Sequence, residues 1–135
     1  MPHLLFDLSV SPPDDDRARF GAAVARRFGE IMDTGTDHVA VLVRAHSQGS
    51  LTLGLASDPA RGVALASADI RVGRTQDQER RLCLAFIEEL ERWFGIPKDQ
   101  VYVVLTRHDG PEFQLVDRVL PSWSAGEDPL ASPGS

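Results

Sequence analysis

The chain begins MPHLLFDLSV, and its second residue offers an unusual reactive group. Loss of Met1 would leave Pro2 as a free secondary amine. At the end of a buried strand and near cations, such an amine holds its proton weakly, because burial and like charge both disfavour the ammonium form. It would then serve as a general base near neutral pH. A second chemistry-bearing stretch is DIRVGRT, which holds Arg71 and Arg74. Two guanidiniums in one short turn suit a carboxylate, which accepts parallel N–H donors. Thr75 is placed to open a helix, whose N-terminal dipole adds to the attraction for an anion. The competing reading is a pair of solvated surface arginines with no such task.

The remaining reactive residues point to less. His3, His38, His46 and His108 have no partners at metal-ligand spacing, so no metal site is expected. Cys83 sits beside an apolar helical stripe and reads as core. EELER is a solvated helix face carrying charge pairs. Neither a glycine-rich phosphate loop nor a serine nucleophile elbow occurs, and no organic cofactor is implied. A formal net charge of -6 and a pI near 5.1 argue against a nucleic-acid partner. No apolar run is long enough to span a bilayer, and no basic leader precedes an apolar segment. A lone cysteine cannot form an internal disulfide, which fits a reducing cytoplasm.

The elements that must position Pro2 and the arginines follow from periodicity. HLLFDLSV puts Leu4, Phe6, Leu8 and Val10 on one face of a strand that starts directly after Pro2. SPPDDD then opens a helix with Ser11 as its N-cap, and Phe20, Val24, Phe28 and Ile31 form its apolar face. DTGTD ends it, and HVAVLVRA, apolar on both faces, reads as an interior strand. A loop region follows, with one short strand around Leu51 to Leu55. VALASADIR is the next long strand. Thr75 and Gln78 make a capping-box pair at the start of a helix whose stripe is Leu82, Phe86, Leu90 and Trp93. Gly95, Ile96 and Pro97 stop it, and QVYVVLT is the last long strand.

The order is β-α-β over 2–45 and β-α-β again over 63–106, within a single domain spanning 1–121. The expected fold class is α/β, an α+β sandwich: a four-stranded mixed sheet covered by two helices. The Ser-, Pro- and Gly-rich stretch 122–135 reads as an irregular tail.

Proline, arginine pair and element order together resemble the tautomerase superfamily, whose members use an amino-terminal proline. The likeness is clearest to the cis-3-chloroacrylic acid dehalogenase group, over VALASADIRVGRTQDQERRLCLAFIEELERWFGIPKDQVYVVLT, and continues weakly through DRVLP. MPHLLFDL also resembles the start of the malonate semialdehyde decarboxylases. The resemblance implies Pro2 as the catalytic base, with Arg71 and Arg74 binding the carboxylate of a small substrate. It also implies a migration-inhibitory-factor-like fold and a homotrimer with a barrel-like interior and sites near subunit boundaries.

The departures fall at other catalytic positions. A histidine of the dehalogenases is replaced here by Glu30, a tyrosine by Val104, and their water-activating glutamate by Leu115. Glu112 and Asp117 are the nearby carboxylates that could substitute for the last. Asp37 matches an aspartate associated with the decarboxylases, whose aromatic segment has only Phe113 of GPEFQL as a counterpart. What remains suits moving a proton next to a carbonyl, as in keto-enol tautomerisation of a 2-oxo acid. A hydratase, dehalogenase or decarboxylase of the same superfamily is the alternative reading. A non-catalytic trimeric interaction protein and a ferredoxin-like binding domain are alternatives of another class.

Overall fold

The computed structural model describes residues 2–116, 118–121 and 123–127. Its first strand, β1 (His3–Leu8), alternates strictly, with Leu4, Phe6 and Leu8 fully buried and His3, Leu5 and Asp7 on the opposite face. Helix α1 (Asp14–Met32) returns along the buried face and delivers the chain to β2 (Ala40–Ala45), which runs parallel to β1. After a long connection, β3 (Ala64–Arg71), α2 (Gln76–Phe94) and β4 (Val101–His108) repeat the arrangement, β4 parallel to β3. An antiparallel ladder from His3↔Asp69 to Leu8↔Ala64 joins the two halves. The sheet is therefore four-stranded and mixed, in the order β2-β1-β3-β4, with both helices packed on one face. A short ribbon of β5 (Gln114–Leu115) and β6 (Arg118–Val119) follows.

Small residues on β3 decide how the helices pack. Ala64, Ala66 and Ala68 are buried and leave room for large rings from the neighbouring elements. Phe6 meets Phe20 of α1 and Phe86 of α2 edge-on, with ring centroids 4.9 and 5.1 Å away. Such T-shaped pairs add to the stabilisation that area burial supplies. Helix α2 carries the expected capping box at Thr75 and Gln78, and a left-handed Gly95 (φ 68°) at its end. Ile96, just beyond, is fully buried against the core.

Three local expectations fail for identifiable reasons. Ser11 does not cap α1. Pro13 occupies the N-cap position without a side-chain hydrogen bond, and the Ser11 hydroxyl accepts from Arg17 instead. Leu51 to Leu55 form no strand. Their connection contains 3-10 turns at Gln48–Ser50 and Pro59–Arg61, and the buried Gln100 amide secures its end through Asp58 and Gly62. β2 is an edge strand, although both its faces are apolar. One face meets α1, while Leu42 on the other stands 46% exposed on the uncovered side of the sheet.

Phe6 sits between both helices, so Phe6→Ala should leave a cavity and destabilise the protein by about 3–5 kcal/mol. Denaturant unfolding monitored by circular dichroism checks this. A loss below about 1 kcal/mol would contradict the central role assigned to the ring.

Candidate active site

Antiparallel pairing puts the start of β1 beside the end of β3. The ladder ends at the His3–Asp69 pair, so Pro2, one residue before His3, lies at the end of the sheet where β3 closes with Ile70 and Arg71. Pro2 is buried, and its carbonyl accepts from the Ala40 N–H at 3.1 Å, tying it to the start of β2. The end of α1 and the start of α2 meet at the same place, where Gln78 Nε2 donates to the Ile31 carbonyl at 3.1 Å. Gly73 (φ 115°) makes the turn between β3 and α2. A left-handed backbone there favours glycine over residues with a Cβ.

Neither arginine of this turn is a solvated surface residue. Arg71 is only 3% exposed, and its Nη1 donates to the Pro121 carbonyl at 2.7 Å. Its guanidinium also forms an ion pair with Glu127, whose second oxygen lies 3.2 Å from Nη1. Arg74 is half-buried beneath Trp123, its guanidinium carbon 4.9 Å from the ring centroid. Its Nη1 donates to the Arg71 carbonyl at a long 3.4 Å, and its Nε is buried with no hydrogen-bond partner among the described residues. Burial, then the neighbouring Arg71 charge, lower the Arg74 pKa to about 10, against a smaller opposing effect of Glu79. Burial also pulls Arg71 below its ordinary value.

The other candidates are spread out. Glu30 is exposed, 3.9 Å from Arg26, and lines a cavity of about 260 Å³ between the helices with Arg27, Arg81 and Glu88. Asp37 is exposed in the connection from α1 to β2. Asp117 lies outside the described residues. Glu112 closes a 3-10 turn after β4, where it accepts from the Asp109 N–H and bonds to His108. Leu115 is half-buried on β5, and Val104 is 47% exposed on the uncovered sheet face. Cys83 is half-buried and lines a cavity of about 280 Å³ with Glu79, Leu105 and Arg107. Burial first, then Glu79, push its thiol pKa up.

Two residues at the Pro2 end, Asp69 and Glu127, escaped the sequence reading. Asp69, directly opposite His3, accepts from His108 Nε2 at 2.8 Å, and Glu112 accepts from His108 Nδ1 at 3.0 Å. Glu127 reaches Arg71 from a tail read as irregular. The available signals were the alternation that puts Asp69 and Arg71 on one strand and the adjacent acids Glu127 and Asp128 in a Ser-, Pro- and Gly-rich stretch.

Solved structures share this architecture. A macrophage migration inhibitory factor from Toxoplasma gondii superposes with a TM-score of 0.73 at 18% identity, covering 87% of this chain and 98% of that one. A malonate semialdehyde decarboxylase gives 0.69 at 23% identity, covering 84% and 89%. A fused 4-OT in an asymmetric trimer gives 0.74 at 15%, covering 87% and 94%. This is the migration-inhibitory-factor fold. No protein-family model matches the sequence, and no curated protein matches it. Among the described residues, no helix of this migration-inhibitory-factor fold is long and apolar enough to cross a membrane.

The His108 contacts carry a pH dependence. Hydrogen bonds first to Asp69 and then to Glu112 raise the His108 pKa above its ordinary value. The imidazolium donates from both ring nitrogens at once, whereas neutral imidazole donates from only one. Stabilisation should therefore be complete below the unfolded pKa of about 6.5 and fade as pH rises through the folded value. Melting temperatures between about pH 5.5 and 8.5 should fall across that window in the wild type and less so in His108→Gln. Identical profiles would remove His108 as the titrating group.

Proposed function

We propose that this chain is an enzyme of the tautomerase superfamily, acting on a small 2-oxo or unsaturated carboxylic acid with Pro2 as general base. The observation that carries this reading is the β1–β3 register, which brings a buried Pro2 level with the strand end that holds Arg71 and leads to Arg74. The shared fold supports it, since the similar structures include a malonate semialdehyde decarboxylase with decarboxylase and hydratase activities. In the proposed reaction, the Pro2 amine, freed by loss of Met1, takes a proton from the carbon next to the substrate carbonyl. The electrons of that C–H bond form a carbon–carbon double bond, the carbonyl π pair moves onto oxygen, and an enolate results. Arg71 and Arg74 hold the carboxylate and stabilise the developing charge. Return of the proton to oxygen or to another carbon completes the tautomerisation and regenerates the amine.

The same environment sets the base. Burial and the arginine charges both disfavour a prolyl ammonium, so a neutral amine would be available near pH 7. A homotrimer completes the proposal. Leu42, Tyr102 and Val104 are 46%, 54% and 47% exposed on the uncovered sheet face, and trimers occur among structures of this fold. A second reading is hydration, dehalogenation or decarboxylation, favoured by the Asp69–His108–Glu112 cluster. Turnover of a halogenated acrylate that survives Leu115→Ala and is lost in Glu112→Gln would select it.

Intact-mass measurement of the natively produced protein should show a chain lacking Met1. A retained methionine makes the Pro2 nitrogen an amide and ends this mechanism. In a keto-enol assay with an arylpyruvate, Pro2→Ala should lower kcat about 10²- to 10⁴-fold. Arg74→Ala should raise KM about 10- to 100-fold, the loss expected for a charged hydrogen-bonding partner. Unchanged rates in either variant would reject its role.

A further inference from the structure

Glu127 closes over the two arginines in a way that goes beyond a surface ion pair. Both Arg71 η-nitrogens face its carboxylate. The Thr34 hydroxyl donates to Oε1 at 3.3 Å, and the Ser124 N–H reaches Oε2 at 3.3 Å. The side chains of Arg71 and Glu127 are 2% and 7% exposed, so this is a desolvated receptor with a carboxylate already in it. We infer that Arg71 and Thr34 form a carboxylate-binding site that the chain fills with its own Glu127, and that an incoming small carboxylate must displace it. The receptor stands on this geometry alone; identifying the competitor as a substrate rests on the proposed function.

The segment bearing Glu127 is built to come away. Ser124, Ala125 and Gly126 are exposed and contribute little to the core. Its backbone is held by Gly126 N–H to the Asp33 carbonyl at 3.1 Å, a bridge between Thr34 and Glu127, and a local bond from Glu127 N–H to Ser124. Its other anchor is Trp123, which lies over Arg74 and against Gly73, where a Cβ would come within 3.7 Å of the ring. Few buried apolar contacts and a polar anchor mark a segment of low local stability. Departure of Glu127 would loosen Trp123 as well, so both arginines would become available together. Tethering gives Glu127 a high effective concentration at Arg71, which weakens the apparent affinity for a free carboxylate.

Chemical rescue tests the inference without relying on turnover. Melting temperatures of the wild type, Glu127→Ala, Glu127→Gln and the double variant Glu127→Ala/Arg71→Gln would be compared in acetate or malonate and in chloride at equal ionic strength. Glu127→Ala leaves a buried guanidinium without its carboxylate and should melt lower in chloride than the wild type. Acetate or malonate should restore its stability, with an apparent affinity at least about tenfold tighter than for the wild type. Glu127→Gln, which keeps the shape and loses the charge, should also bind malonate more tightly than the wild type and covers the case in which the alanine variant fails to fold. The double variant should show no rescue. Equal responses to carboxylate and chloride in both single variants would overturn the inference, as would equal carboxylate affinity in those variants and the wild type. A Pro2→Ala protein that lacks activity but whose Glu127→Ala derivative is rescued would separate this site from the catalytic proposal.

Discussion

The antiparallel ladder between β1 and β3 is the constraint on which the rest of this structure depends. Each half is a β-α-β unit that covers only its own strands. Joining them edge to edge places both helices over one continuous face and lets Phe6 meet rings from α1 and α2. Because β1 and β3 run in opposite directions, the start of one meets the end of the other. A one-residue slip would turn the Leu4, Phe6 and Leu8 face outward, so core packing and the placement of Pro2 are set by the same register. Pro2 is therefore held by the ladder and by its bond from Ala40.

Electrostatics at that end has to solve a problem the ladder creates. Two arginines three residues apart lie close together, and both are at least half-buried. A buried guanidinium needs a partner, and two neighbouring ones repel. Arg71 resolves this through the Pro121 carbonyl and Glu127, whereas Arg74 relies on an aromatic face and its Nε has no hydrogen-bond partner among the described residues. The strain is visible in Arg74, whose pKa falls to about 10 through burial and its neighbour's charge. A site that holds cations at this cost favours an anionic guest, whether that guest is Glu127 or a free carboxylate.

The secondary structure was legible because it is written in local patterns. Alternation on β1, the helical stripes of Phe20 to Ile31 and Leu82 to Trp93, and the Thr75–Gln78 cap all depend on residues a few positions apart. Errors arose where the deciding partner is distant. Gln100 anchors Asp58 across 42 residues, so the leucine-containing stretch before it forms turns although it alternates like a strand. β2 is apolar on both sides, yet its edge position depends on which strand pairs with which. At the candidate site, Pro2, Arg71 and Arg74 stood out by type and spacing, but their surroundings did not. Glu127 lies 56 residues from Arg71 and Asp69 lies 39 from His108, separations at which no periodicity links one side chain to another.

The uncovered sheet face ties the site to assembly. A two-layer unit buries one face of its sheet and leaves the other to water unless another layer is added. Here that face carries Leu42, Tyr102 and Val104 near its edges, while Asp7 is bound by Arg44 and His46, and Asp69 by His108. The carboxylates of Asp7 and Asp69 are thus paired on that face, and its large apolar groups remain open. Covering the apolar groups by further copies would bury them without stranding these two carboxylates, because each already has a partner. The same cover would lie beside Pro2 and the His108 cluster, since both belong to strand ends of that sheet. In the proposed trimer, assembly would therefore dry the surroundings of the Pro2 amine proposed as the base, and drying is one of the forces that keeps such an amine neutral.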